Sequence, residues 1–463
     1  MPAGPDGFVE HPRYRSEFER ARALVLGHPR RWRIIYHYDA DGIASASSAV
    51  RAFGRLGYPV QATPLVGVER ERMRGLLAAT KGPVLIADTG ASWLDEYAGH
   101  PAPVVVLDHH RYPGVPDPPE LPPHVALVNP LDWGVDGMSE LCASMLTFLF
   151  TVFLDPVNWD NAPWGLSGAI GDRMHVGGFR GLNATLVDEA IRRSVVVRRP
   201  GIALLGPTVG EALAHAIDPY FRGLSGEPAR AAEFLRRLGI DPAGRVEGLP
   251  AEAVGALVGA LRAKLEADGV LPEFVALLDQ ERWFLPSLGM DAEDLSNLQG
   301  ATGRAKEPGV GVAMALGDSG AFDRARRAES AWREGILKGL QRIERDGVHE
   351  MAGLRWFASP ETTLAGTQAG MAMNYLLSPE RPVLAFSEEG EGPIKVSGRG
   401  TLRLVDGGLD LSTALRLGAA AVGGEGGGHR VASGATIPPG SRDRFLEAVD
   451  RIVAAQLHLG GTP

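Results

Sequence analysis

Three short apolar runs near the start of the chain each end in an acid or a histidine, and this limits what the chain can fold into. Trp32-Arg33-Ile34-Ile35-Tyr36 leads into His37-Tyr38-Asp39-Ala40-Asp41-Gly42, Val84-Leu85-Ile86-Ala87 into Asp88, and Val104-Val105-Val106-Leu107 into Asp108-His109-His110. A fourth acid, Asp172, follows Gly168-Ala169-Ile170-Gly171. Short strand-like runs of this kind, alternating with helical patterns, argue a parallel α/β sheet. Ligands of such a sheet bind outside the carboxyl ends of its strands, so acids and imidazoles placed there converge. Gathered carboxylates repel one another and lose hydration unless a cation sits among them. The pattern therefore predicts a metal site on a parallel α/β domain.

The wider pattern agrees. Strand-like stretches at 32–37, 58–66, 83–88, 103–107 and 125–128 alternate with helical patterns at 14–27, 43–55 and 68–79, the order expected of βα units. Proline-rich Gly114 to Pro123 reads as a surface loop. Ser139 is the expected cap of an apolar helix at 140–154, and a helical segment near 164–172 carries Asp172. From about 185 to 290 Ala, Leu, Arg and Glu recur at helical spacing without an acid-histidine cluster, which predicts a helical accessory insertion that binds a protein partner or braces its neighbours. A glycine-containing stretch, Leu295 to Leu316, precedes a long polar helix at about 320–346. The last part holds a strand-like run at 383–387, then Ile394 to Arg399 and Gly423 to Arg430. The expected division is 1–188, a catalytic parallel-sheet domain; 189–290, the helical insertion; 291–350, a Gly-Arg motif and linker helix; and 351–463, a smaller α/β domain.

Composition narrows the function classes. The 463 residues are 44% hydrophobic and 22% charged with net charge −9, so no global basic field draws in nucleic acid and any such binding needs a local groove. Arg173, Arg304, Lys395, Arg399 and Arg430 are candidates to line one. The single cysteine, Cys142, excludes an internal disulfide framework and suits a reducing compartment; it reads as a small core residue. The longest apolar run, Leu141 to Leu154, is too short to span a bilayer, and no leader pattern opens the chain. The expectation is a soluble cytoplasmic protein without a membrane partner.

His37, Asp39 and Asp41 would leave one face of an extended segment at period two, with Gly42 allowing a tight turn. Asp88 on a neighbouring strand could bridge two cations, with His109 and Asp172 completing their shells. Mixed carboxylate and imidazole ligands suit Mn²⁺, with Mg²⁺ as the alternative. Two such cations roughly 3.5–4 Å apart serve in-line displacement at phosphorus.

The ordered set His37-x-Asp39-x-Asp41-Gly42, Asp88, Asp108-His109-His110 and Asp172 resembles the DHH phosphoesterase superfamily. Gly426-Gly427-Gly428-His429, with Ser397-Gly398-Arg399 upstream, is similar to its DHHA1 substrate-binding domain. Asn129-Pro130, Gly134 to Glu140, and Asn297 to Arg304 followed by Gly311-Val312-Ala313 resemble archaeal RecJ-like members. In the family's Asn-Ala-Cys/Ala-Gly-Arg element this chain keeps Ala301, Gly303 and Arg304 but has Gly300 at the asparagine position. The resemblance implies metal ligation by His37, Asp39, Asp41, Asp88, His109 and Asp172. It also implies an orienting role for Asp108, a phosphate-facing His110, and substrate binding by Arg304, Ser397, Arg399, Gly427, Gly428 and His429. The function implied is a two-metal exonuclease on single-stranded DNA, with RNA open, in replication or repair. The alternatives are a nano-RNase or dinucleotide phosphodiesterase and a replisome component acting through the GINS complex. Polarity of degradation stays open.

Overall fold

The structure is a computed structural model that describes residues 11–67, 70–115, 120–388 and 392–458. The start of the helix expected at 68–79 and residues 116–119 of the expected loop lie outside the described residues. The chain forms two compact units, residues 1–200 with 281–330 and residues 201–280 with 331–463.

The first unit opens with α1 (Pro12–Leu26), β1 (Trp32–His37), α2 (Ala40–Arg55), β2 (Val60–Leu65), α3 (Arg70–Ala78), β3 (Val84–Ala87), β4 (Val104–Leu107) and β5 (Val125–Val128). Helices α4 (Ala143–Leu154), α5 (Ala162–Gly171) and α6 (Gly181–Arg192) follow. The five strands make one sheet in the order β2-β1-β3-β4-β5, and each adjacent pair is parallel. Successive residues alternate between two cores. Ile34, Tyr36, Leu85, Ala87, Val105, Leu107, Ala126 and Val128 join the cluster that holds residues of α1, α2, α4 and α5. Ile35, Val84, Ile86, Val104, Val106, Val125 and Leu127 join Met73 and Leu77 of α3. Both faces are thus dry, which explains the unbroken apolar runs. The connection from β1 leads one way to β2 while β3 lies on its other side, so the order reverses between β1 and β3. Their carboxyl ends carry His37 and Asp88.

The chain continues through β6 (Val197–Ile202), α7 (Val209–Ala214), α8 (Pro228–Arg237), α9 (Ala251–Ala267), α10 (Pro272–Val275), β7 (Asp279–Leu285) and β8 (Met290–Asp291); β6, β7 and β8 form a small sheet in that order. Then come α11 (Ala292–Arg304), α12 (Pro308–Ala315) and α13 (Ser319–Asp346). Glycine-containing Leu295 to Leu316 is therefore two helices. Its glycines allow close packing: a Cβ on Gly303 would stand 2.0 Å from the Tyr38 carbonyl oxygen, and one on Gly311 2.6 Å from Ile43 Cγ2.

The second unit adds β9 (His349–Glu350), β10 (Arg355–Ala358), α14 (Thr362–Tyr375), β11 (Val383–Ser387), β12 (Ile394–Arg399), α15 (Leu402–Asp406), α16 (Leu411–Ala420), β13 (Glu425–Gly428), β14 (Ala432–Ile437) and α17 (Arg442–Gln456). Its six strands run β13-β14-β12-β11-β10-β9; β10 and β11 are parallel, while β11-β12, β12-β14 and β13-β14 are antiparallel. The glycine-rich segment Gly426 to Gly428 is thus part of the edge strand β13.

The boundaries expected at 188/189, 290/291 and 350/351 do not match these units. Residues 201–280 do not form a core of their own: Leu213, Tyr220, Leu235, Leu257, Leu261 and Leu265 share one cluster with Leu340, Leu384, Leu415 and Phe445. Helical periodicity shows which face is apolar but not which element covers it. Nor is α13 a solvated linker throughout, because Ala321 and Ala325 belong to one core and Ile336, Leu337, Leu340 and Ile343 to the other. Leu261→Ala should lower the stability of the second unit by about 2–5 kcal/mol, read from urea unfolding. Replacing 201–280 by a flexible linker should leave residues 331–463 without a cooperative transition. A cooperative transition in that deletion would restore the independent insertion.

Candidate metal centre

His37 is the last residue of β1, and Asp39 caps α2, its Oδ1 accepting the Gly42 N–H at 3.0 Å. The extended, period-two face expected for His37, Asp39 and Asp41 does not form, because helix starts at Ala40 and puts Asp41 in the first turn. Asp41, 1% exposed, accepts instead from Ala143 N–H (Oδ2, 2.9 Å) and Ser144 N–H (Oδ1, 3.0 Å). These are the opening amides of α4, where the helix dipole favours an anion. The expected Ser139 cap is replaced by this carboxylate, distant in sequence, and Cys142, buried, takes the capping position. Gly42 stays helical; its role is close approach, since a Cβ would stand 2.1 Å from the His37 carbonyl oxygen.

The left-handed backbone sits at Asp88 itself, with φ of 61°, a conformation that aspartate tolerates better than most residues. Its carboxyl, 2% exposed, lies between two imidazoles: Oδ2 is 3.5 Å from His37 Nδ1 and Oδ1 is 3.3 Å from His109 Nε2. His109 Nδ1–H donates to the Gly137 carbonyl at 2.6 Å, which leaves Nε2 as the nitrogen that could hold a metal. That nitrogen lies 3.7 Å from Asp172 Oδ2 and 3.9 Å from Asp41 Oδ2. Asp172 is the C-cap of α5. It reaches the cluster because Gly165, Gly168 and Gly171 let α5 press in: a Cβ on Gly168 would meet Ser144 Oγ at 2.2 Å and Asp41 Oδ1 at 2.7 Å.

Asp108 bonds none of these side chains among the described residues. Its Oδ2 accepts the Ala91 N–H at 2.8 Å and its Oδ1 accepts from His110 Nδ1 at 2.8 Å. Burial would raise the Asp108 carboxyl, but the His110 bond and charge, the His109 charge and the Ala91 amide hold it below the ordinary range. His110 is half-exposed, 51% at its side chain.

The structure thus brings His37, Asp39, Asp41, Asp88, His109, His110 and Asp172 into three overlapping groups. They are His37-Asp39-Asp88, Asp88-His109-His110 and Asp41-His109-Asp172, with candidate ligand atoms in each within 4.8 Å of one another. The donor set, carboxylate oxygen and imidazole nitrogen, fits Mn²⁺ or Mg²⁺. So does the electrostatic state. Burial and the charges of Asp39 and Asp41 push the Asp88 carboxyl up to about 7, and burial with Asp41 and Asp88 raises Asp172 well above its ordinary value. Asp88 Oδ2 is buried without a hydrogen bond of good geometry. A cation answers each of these costs.

Of the substrate-binding candidates, Arg304 ends α11 in the first unit. Its guanidinium folds back over Gly300, where a Cβ would stand 3.1 Å from Nη1; the glycine at the family's asparagine position makes that room. Ser397, Arg399, Gly427, Gly428 and His429 belong to the second unit. Ser397 and Gly427 line a cavity of about 540 Å³. Arg399 lies beside Ser397 against α14, where a Cβ on Gly366 would stand 2.8 Å from its Nη2 and 3.5 Å from Ser397 Oγ. Burial lowers the Arg399 pKa, and its Nη1 donates to the Gly398 carbonyl at 2.8 Å. Gly428, at φ 140°, packs on Ser433, and exposed His429 sits in the β13-β14 turn. Sequence reasoning had no role for Gly137, Gly366 or the glycine stripe of α5. The three-residue spacing of that stripe was the available signal.

A family model described as the DHHA1 domain matches residues 356–455. RecJ from Thermus thermophilus in complex with Mn²⁺ superposes with TM-score 0.57 and 18% identity, covering 98% of this chain and 56% of that one. The chain therefore spans little more than half the length of that RecJ. CDC45 from Entamoeba histolytica superposes with TM-score 0.63 and 11% identity, covering 96% and 98%. Residues 356–455 thus match a DHHA1 domain, and the chain has the RecJ-like fold. An uncharacterized protein of Methanocaldococcus jannaschii is 27% identical over 438 residues, 94% of this chain and 95% of the relative. Among the described residues no helix is long and apolar enough to cross a membrane.

Bound metal requires the Asp88 carboxyl ionised, so protons compete with it. Mn²⁺ affinity, measured by titration calorimetry, should fall as pH drops through about 7. An affinity flat across that range would count against Asp88 as a ligand.

Proposed function

We propose that this RecJ-like DHH protein is a metal-dependent phosphodiesterase, an exonuclease on single-stranded nucleic acid acting in replication or repair. The observation that carries this reading is Asp88, shared by two of the three ligand groups and set between His37 and His109. One carboxylate common to adjacent groups is what two neighbouring divalent cations require. His37 and Asp39 would hold one, Asp41, His109 and Asp172 the other, with Asp88 between them. Bound there, the cations supply an activated water and offset charge on the phosphate oxygens.

The chain's own groups do the rest. Asp108 holds His110 by Nδ1 and raises its pKa, and the imidazolium so favoured has its Nε2–H free to donate a hydrogen bond to a phosphate oxygen. Gly137 fixes the tautomer of His109. In the second unit, Arg399 offers a guanidinium unmatched by an acidic partner among the described residues, suited to a phosphate, beside the Ser397 hydroxyl. Mn²⁺ is the proposed metal on the mixed nitrogen and oxygen set.

A second reading, a replication-assembly component acting through GINS, draws on the CDC45 fold likeness. The filled ligand positions favour catalysis over a scaffold that has no use for them.

Asp88→Ala should cut hydrolysis of end-labelled single-stranded oligonucleotides with Mn²⁺ by at least about 10³-fold, with unchanged circular dichroism. Activity above about a tenth of wild type would overturn the bridging role. Arg399→Ala should raise KM about tenfold with metal content unchanged; loss of metal instead would contradict the division of labour.

A further inference from the structure

The cavity in the second unit has a floor of missing side chains. Across three antiparallel strands, Ser397 of β12 faces Gly434 of β14, which faces Gly427 of β13. A Cβ built on Gly427 meets nothing within 4 Å, so this row opens as a hollow. Two positions along, the next row on the same face is Lys395, Thr436 and Glu425, and all three line the same cavity. Lys395 and Glu425 stand two strands apart, roughly 10 Å between backbones. They do not pair: Lys395 Nζ donates to Thr436 Oγ1 at 2.9 Å. Among the described residues the Glu425 carboxylate has no ion pair or side-chain hydrogen bond.

A hollow lined by Lys395, Ser397 and Thr436 suits a phosphate. A carboxylate on its edge repels one, and it is an acceptor only, so it favours a ligand that presents a donor next to its phosphate. A ribose 2′-hydroxyl is such a donor, and a deoxyribose lacks it; carboxylates read sugar hydroxyls beside phosphates in other nucleotide sites. We propose that Glu425 accepts a hydrogen bond from a ribose 2′-hydroxyl and makes this cavity select ribo- over deoxyribo-oligonucleotides. The proposal deepens the phosphodiesterase reading and rests on it.

The test compares short single-stranded oligonucleotides of one sequence carrying ribose, deoxyribose or 2′-O-methylribose. Binding to the full chain is read by fluorescence anisotropy without divalent metal, and KM by hydrolysis with Mn²⁺. Wild type should bind the ribose form about tenfold tighter than the other two, the value of one hydrogen bond to a charged group. Glu425→Ala should bring the three within about twofold by weakening the ribose form alone, and Glu425→Gln should restore part of the preference. Equal binding of all three by wild type would overturn the proposal. So would a Glu425→Ala variant that changes all three alike, since the carboxylate would then act only as a charge. Tight binding of the 2′-O-methyl form would assign the preference to sugar pucker and overturn it too. Selective binding without hydrolysis would sink the nuclease reading while leaving the role of Glu425 intact.

Discussion

Burying several like charges at one point costs more than the surrounding packing readily supplies, and the first unit is organised around that cost. Asp41, Asp88 and Asp172 crowd the end of a sheet that is dry on both faces, and burial with mutual repulsion raises Asp88 and Asp172. The fold meets part of the cost with its own groups: two amides at the start of α4 for Asp41 and imidazoles on either side of Asp88. What is left is a set of carboxylate oxygens and imidazole nitrogens within reach of one another, the donor set that suits a divalent cation.

Much of this was legible in the chain. The strands and the acids that end them could be read because burial on both faces leaves an unbroken apolar run, and because the carboxyl ends of parallel strands point to one side. The direction of Asp41 could not be read. Asp-x-Asp looks the same in a strand and across a helix start, and the choice was made by α4 more than 100 residues later, whose free amides donate to the carboxylate. The Ser139 cap failed for the same reason, since a cap can come from anywhere in space. The glycines of α5, α11 and α14 were visible as residues but silent as contacts, because a missing side chain shows its purpose only against what moves into its place.

The second unit follows the same logic with less charge. Gly366 clears room for Arg399, and Gly427 and Gly434 hollow the sheet beside Lys395 and Ser397. Residues 201–280 looked like a separate module because their pattern is locally complete, yet Leu257, Leu261 and Leu265 finish a core begun by strands more than 100 residues further on. The amphipathic face was legible; its partner was not.

The first unit is discontinuous, and this sets an order of events during synthesis. Residues 1–200 leave the ribosome with every candidate ligand but without α11 and α12, which close over Tyr38 and Ile43. Before those helices emerge, residues 201–280 appear, and their own core waits for the remainder of the chain. Each half therefore holds exposed apolar surface while the other is being made, a condition that favours chaperone capture and misassembly in large nascent chains. The packing of α11 and α12 on Tyr38 and Ile43 is therefore a late step, separable from the formation of the parallel sheet that carries the candidate ligands.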